Sequence, residues 1–501
     1  MVTVRPAEPG VTYDSAAGRW VLAATVLGSG MAFLDGTVVN VALPAMGQDL
    51  GTGLAGLQWT VNAYTLTLAS FILLGGAAGD RFGRRRVFVI GVVAFAAASA
   101  LCGLATTPGL LIAARALQGV GGALLTPGSL AILQSTYRED DRARAVGSWS
   151  GLTGVAGAVG PFLGGWLVEA VSWRLVFFIN VPIAAVVLWL ASRHVPESRD
   201  EAAPRGFDVS GAVLCAVALG ATTYGLIGWG AAGRWSATTG VAVVLGVLVA
   251  AAFVRTELRS SHPMLPFHVF RSGLFRTVNA VTFLVYAGLG AVFFFLVITL
   301  QVLSGFSPVA AGAALLPVTV VMLAFSARAG DLAQRIGPRL PMTIGPVVAG
   351  AGVAWLSRIG TDASYVVDLL PGALLLGLGL CLTVAPLTAT TLAAVPVGQA
   401  GVASGINNAV ARTAGLLAVA ALPAVVGLRT SAYADPAALQ PAFRAGMLVA
   451  AALLVSGGVL SALALGRPQP TRPLCRRSCS VEGPPLEPEP VGAAGHGWPA
   501  G

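Results

Sequence analysis

The sequence predicts an all-α polytopic membrane protein of fourteen transmembrane helices, two six-helix bundles with two extra helices between them. Three observations carry this. Of 501 residues, 56% are hydrophobic and only 10% charged, with a mean hydropathy of +0.81, a balance that suits lipid rather than water. Apolar runs of about 18 to 25 residues recur from Trp20 to Leu465, each long enough to cross a hydrocarbon core as a helix. The runs are continuous rather than alternating, and lipid cannot satisfy open backbone groups, which favours helices over a barrel.

Residues 1–19 carry Pro6, Glu8, Pro9 and Asp14 and lack the order of a cleavable signal, so they read as a cytoplasmic segment. A first bundle, 20–191, holds spans at Trp20 to Leu43, Gln58 to Gly79, Val87 to Ala105, Leu110 to Leu133, Ala145 to Val168 and Arg174 to Leu190. Residues 192–256 hold a cytoplasmic loop and two inserted spans, Val209 to Trp229 and Ala237 to Phe253, and 257–277 form a further cytoplasmic loop. The second bundle, 278–466, holds Val278 to Leu303, Val309 to Ala327, Leu340 to Ser357, Leu369 to Ala393, Val402 to Val426 and Met447 to Leu465. The stretch 467–501 is proline-rich and polar and reads as a disordered cytoplasmic tail.

All 30 basic residues are arginine. With an inside N-terminus, 23 fall in cytoplasmic segments, five outside (Arg174, Arg234, Arg358, Arg429, Arg444) and two, Arg115 and Arg412, within spans. This asymmetry places both termini in the cytoplasm. It also accounts for the net charge of +9 without a nucleic-acid partner, because the arginines are spread over loops rather than gathered on one basic domain. Without lysine no P-loop can be built, so ATP is not an expected fuel. The four histidines lie in loops or the tail and the five cysteines lack paired spacings, so no metal site is expected and the thiols read as free.

After the second span comes Gly76-Ala77-Ala78-Gly79-Asp80-Arg81-Phe82-Gly83-Arg84-Arg85-Arg86, one acid among four bases on a glycine-permitted turn. A weaker copy after the tenth span, Gly330-Asp331 to Arg335, Gly337 and Arg339, indicates an internal duplication. With Leu34-Asp35-Gly36 through Asn40 to Pro44 in the first span, Arg115-Ala116-Leu117-Gln118-Gly119 in the fourth, Gly151 and Gly160-Pro161-Phe162-Leu163-Gly164-Gly165 in the fifth, and Trp173-Arg174 with Phe177 to Pro182 in the sixth, the chain resembles the major facilitator superfamily. Within it, the resemblance is to the fourteen-helix drug:proton antiporters and covers Trp20 to about Leu465. Ala78 replaces the family's usual leucine, and Gln334 stands where an aspartate is common in the second copy. The resemblance implies a major facilitator fold, a cytoplasmic gate at Gly76, Asp80, Arg81, Gly83, Arg84, Arg335 and Gly337, and an antiporter motif at Gly151, Gly160, Pro161, Gly164 and Gly165 that accompanies export.

Asp35 is the only carboxylate clearly inside an expected span, and a charge there is costly unless it is paired or reaches water. Moving a carboxyl out of water strengthens its hold on a proton, which makes Asp35 the candidate proton carrier. Counting inward from the outer ends, Asp35 lies eight residues deep, about 12 Å, and Arg115 five, about 8 Å, so the two can meet. A guanidinium at hydrogen-bond range favours the ionised acid, so making and breaking this pair can couple protonation to conformation.

The glycines of the fifth span recur at helical spacing and allow close backbone approach, with Pro161 able to kink it. Arg412, about 15 Å from the inner end of the thirteenth span, should face water or substrate. Asn40, Trp59, Asn62, Tyr64, Gln118, Tyr286 and Asn407 complete the expected wall of a substrate cavity.

These readings describe a monomeric transporter in the bacterial cytoplasmic membrane, not an enzyme, that exports small amphiphilic organic molecules in exchange for protons. The proton gradient serves as its energy source, without a cofactor. With no second acid in the tenth span, neutral, anionic or monocationic substrates are expected over dications. A proton symporter importing a metabolite, or a membrane receptor or assembly factor that transports nothing, are the alternatives.

Overall fold

The computed structural model describes residues 10–200, 208–260, 263–396, 399–429 and 435–465. The expected tail, 467–501, lies outside the described residues. In the first half run α1 (Ala16–Asp49), α2 (Leu54–Phe82), α3 (Arg84–Gly103), α4 (Pro108–Thr136), α5 (Glu139–Ala170), α6 (Leu175–Phe178) and α7 (Asn180–His194). The inserted pair is α8 (Val209–Ala232) and α9 (Ala237–Arg259). The second half holds α10 (Gly273–Val302), α11 (Pro308–Ala313), α12 (Leu316–Ile336), α13 (Arg339–Leu356), α14 (Leu370–Ala393), α15 (Ala400–Val425) and α16 (Pro436–Ala464).

Among the described residues thirteen helical stretches are long and apolar enough to cross a membrane. The remaining expected span is α13, 18 residues long with Arg339 at its head. Several helices outrun their apolar cores, because hydropathy marks what lipid covers while capping sets where a helix stops. α1 begins at Ala16 rather than Trp20, where the Ser15 hydroxyl accepts the Gly18 N–H at 3.0 Å.

Two expected continuous spans are broken, each by a proline in a first turn. Pro182 cannot donate to the Phe178 carbonyl, and the sixth span divides into α6 and α7 around Ile179. Pro317 likewise cannot donate to Ala313, and the tenth span divides into α11 and α12.

α1 packs on α4, α5 and α7; α4 packs on α2 and α3. In the second half α13 packs on α14 and α16, and α10 on α15 and α16. The halves meet where α5 touches α11 and α2 touches α15, while α8 pairs with α9 and leans on both α2 and α15. One large apolar core runs through both halves, with Leu43, Phe177, Phe294, Phe295 and Phe443 among its members. A second, around Phe88, Phe95 and Tyr137, belongs to the first half.

The fifth-span glycines divide into two groups. A Cβ at Gly160 would overlap Thr37 of α1, and one at Gly164 would lie 3.1 Å from the Val38 carbonyl. At Gly165 it would overlap the Pro308 carbonyl of α11, so these three let α5 touch both halves at once. Gly147, Gly151 and Gly154 have nothing within 4 Å of that position, so the close-packed face does not extend to them.

Candidate functional site

Asp35 and Arg115, 80 residues apart in sequence, meet where α1 crosses α4. Arg115 Nη1 donates to Asp35 Oδ2 at 2.5 Å, and both side chains are buried, 1% exposed for the arginine and 0% for the acid. The same Nη1 also donates to Gln118 Oε1 at 2.7 Å, and Gln118 Nε2 donates to Asp35 Oδ1 at 2.8 Å. Because 115 and 118 are three apart on a helix they share a face, and Gln118 bonds both members of the pair. Asp35 Oδ1 takes a further bond from Asn180 Nδ2 at 3.1 Å, and that nitrogen also donates to Ser99 Oγ at 3.0 Å.

The guanidinium is held from the other side by α2. Arg115 Nε donates to the Thr60 carbonyl at 3.1 Å, and its carbon sits 4.3 Å from the centre of the Tyr64 ring. Phe177 offers a second ring face at 5.8 Å. A buried ion pair survives only when its remaining donors and acceptors are satisfied, and here the surrounding helices supply the partners. Arg115 thus bridges Asp35 of α1 and the Thr60 carbonyl of α2.

The sequence-selected pair is therefore in contact, but the expected cavity wall is rearranged. Gln118 and Tyr64 are buried parts of the ion pair's enclosure rather than walls of an open cavity. Asn62 is fully buried with neither amide atom partnered among the described residues. Asn40, half-buried, turns back to donate to the Gly36 carbonyl of its own helix. Asn407 joins a neutral network in the second half, donating to Asn279 Oδ1 at 3.2 Å and Thr282 Oγ1 at 2.8 Å. Arg412 reaches from α15 toward α1, its guanidinium 5.4 Å from the Phe33 ring centre. Trp59 and Tyr286 are half-buried. Asn180, Ser99 and the Thr60 carbonyl were not among the selected site residues; Asn180, a polar residue inside an apolar span just before Pro182, was the available signal.

At the arginine-rich end, the loop after α2 is built around one bare position. Gly83 takes φ +111°, and a Cβ there would lie 2.7 Å from Glu197 Oε1. That approach lets the Glu197 carboxylate accept the Arg85 and Arg86 N–H groups at 3.0 and 3.2 Å, closing the N-terminus of α3 with a negative charge. Asp80 pairs with Arg84 at 2.8 Å; the Arg84 N–H donates to the Ser198 carbonyl and the Asp200 N–H to that of Asp80. Gly76 packs against Pro127 and Arg81 stacks 5.2 Å over Phe82. The second copy differs: Gly337 turns with φ +83° and Arg335 is exposed, while Arg339 donates to the Ala462 carbonyl at the end of α16.

Helices long and apolar enough to cross a membrane, with an ion pair buried among them, define a multi-pass membrane protein. The model of the Major Facilitator Superfamily matches residues 25–420, and the chain belongs to that family. It is 36% identical to the tetracenomycin C resistance and export protein of Streptomyces glaucescens, over 84% of this chain and 79% of that one. It is 37% identical to the multidrug resistance protein Stp of Mycobacterium tuberculosis, over 83% and 77%. Among solved structures it resembles a POT family transporter in complex with 5-aminolevulinic acid, with a TM-score of 0.67, 13% identity and 91% and 99% coverage.

Proposed function

We propose that the chain exports small amphiphilic organic molecules, antibiotics or toxic metabolites among them, across the bacterial cytoplasmic membrane in exchange for protons, acting as a monomer with both termini in the cytoplasm. The observation that carries this reading is Asp35, fully buried and held by Arg115, Gln118 and Asn180. The names of its relatives, an export protein and a resistance protein, support the outward direction.

In the mechanism we favour, Asp35 is ionised while it is bonded to Arg115. A proton arriving at Asp35 removes the charge that binds Arg115, and the guanidinium keeps the Thr60 carbonyl and the Tyr64 ring of α2. α2 in turn contacts the second half, where Gln58 Nε2 donates to the Val419 carbonyl of α15 at 2.7 Å. Movement of Arg115 toward α2 thus bears on the joint between halves, and protonation biases which side opens. With no second acid in the tenth span, the substrates are neutral, anionic or monocationic amphiphiles.

Flux in everted vesicles with an imposed pH gradient tests this. Uptake of an amphiphilic antibiotic driven by an acid interior supports exchange; uptake abolished by that gradient, with efflux accelerated, supports proton-linked import instead.

A further inference from the structure

The inserted helices close on each other through two acids at the arginine-rich end of the bundle. Asp208 caps α8, its Oδ1 accepting the Gly211 N–H and the Ser210 hydroxyl, both at 2.7 Å. Glu257, in the last turn of α9, accepts the Leu265 N–H through Oε2 at 2.7 Å. Both are buried, 9% and 2% exposed.

Their other oxygens present the anomaly. Asp208 Oδ2 and Glu257 Oε1 are buried with no donor among the described residues, yet both crowd the same spot beside Gly211. A Cβ there would lie 2.9 Å from Asp208 Oδ2 and would overlap Glu257 Oε1. Two acceptors in one dry place repel unless one of them carries a hydrogen, which then satisfies both.

The charged and titratable residues on the elements packed around the pair are Arg255 and Arg259 of α9, Asp80 and Arg81 of α2 and Arg412 of α15, with His268 and Arg271 in the linker; His262 of the linker lies outside the described residues. The ion pairs among the described residues include neither Asp208 nor Glu257. The linker supplies the backbone N–H group of Leu265, and the Cys215 thiol of α8 is a further titratable group within reach. Burial acts to raise the Asp208 carboxyl, but the Ser210 hydroxyl, the Gly211 N–H and the Glu257 side chain outweigh it and hold it below the usual carboxylate range. Asp208 takes two donors where Glu257 takes one, so Asp208 is the better-solvated acid and the hydrogen belongs on Glu257.

We propose that Asp208 and Glu257 form a second proton-binding site, one proton held between two carboxyls, which latches the ends of α8 and α9 to the linker at 263–265. Loss of that proton leaves two like charges in a buried place, and their repulsion parts the helices. Since α8 leans on α2 and α15, one from each half, the latch bears on the joint between them. The site stands apart from Asp35 and does not rest on the exchange reading.

Infrared spectroscopy of the full chain in lipid nanodiscs tests it, with Asp35→Asn as the background. At neutral pH the protonated-carboxyl C=O band should be present in that background and lose one carboxyl's intensity in both Asp35→Asn/Glu257→Gln and Asp35→Asn/Asp208→Asn. Loss in the second is diagnostic, because Glu257 is still there but then ionises to accept a bond from the amide introduced at position 208. A band unchanged by either substitution overturns the proposal, as does a band that grows in only when sodium and divalent cations are removed, which would mean that the oxygens clasp a metal ion. Glu257→Gln, whose amide hydrogen replaces the shared one, should also remove the wild-type drop in melting temperature at alkaline pH; an undiminished drop would contradict the latch.

Discussion

Asn180 Nδ2 lies 3.1 Å from Asp35 Oδ1 and 3.0 Å from Ser99 Oγ, so a single amide joins α7, α1 and α3. A buried carboxylate that loses one of its donors is left partly unsatisfied, at a cost of about 1–3 kcal/mol. Asn180→Leu should lower stability by that order in detergent unfolding and depress transport. Ser99→Ala, which leaves the Asp35 contact in place but strands the Phe177 carbonyl, should cost about 1–3 kcal/mol while sparing transport.

Arg115 serves three acceptors at once: Asp35 Oδ2, Gln118 Oε1 and the Thr60 carbonyl. Lysine keeps the charge but lacks the planar fork, so Arg115→Lys should yield folded protein with transport lost. Arg115→Ala strands the acid, which costs about 3–5 kcal/mol. The double variant Asp35→Asn/Arg115→Gln should be more stable than Arg115→Ala alone and equally inactive; unfolding midpoints and flux on the same preparations check both.

Gly83 is constrained twice, by its φ of +111° and by Glu197 against its α-carbon. Gly83→Ala should cost about 1–3 kcal/mol through backbone strain alone. Glu197→Gln keeps an acceptor for the α3 N-terminus but removes the charge, about 0.3–1 kcal/mol. If thermal melts rank these two in the opposite order, the loop is not held as described.

The pH dependence of stability at Asp208 has a definite sign. Its folded carboxyl sits below the usual range, so its contribution is fully present above the unfolded value and fades as pH falls through the folded one. Melting temperature should therefore fall on acidification, and Asp208→Asn should flatten that limb.

Asp35 and Arg115 could be found from sequence because a charge inside an apolar run is expensive, and counting residues from the span ends fixed compatible depths. Asn180 escaped because its direction depends on how α7 is rotated after the break at Ile179. Glu197 escaped because its partners, the N–H groups of Arg85 and Arg86, lie more than a hundred residues away in sequence. Helix number followed from hydropathy; helix ends did not, since Ser15 and the first-turn prolines Pro182 and Pro317 act through hydrogen bonds that no apolar count registers. Gln118 was recognised as polar and internal, but whether it faced a cavity or the ion pair was decided only by packing.

The central claim, that protonation of Asp35 drives exchange, is tested most directly by reconstituting Asp35→Asn in proteoliposomes with a fluorescent amphiphile and an imposed pH gradient. Proton-driven movement should vanish while gradient-free substrate equilibration across the bilayer persists. Movement driven by the gradient at the wild-type rate, in protein of wild-type yield and orientation, would contradict the account.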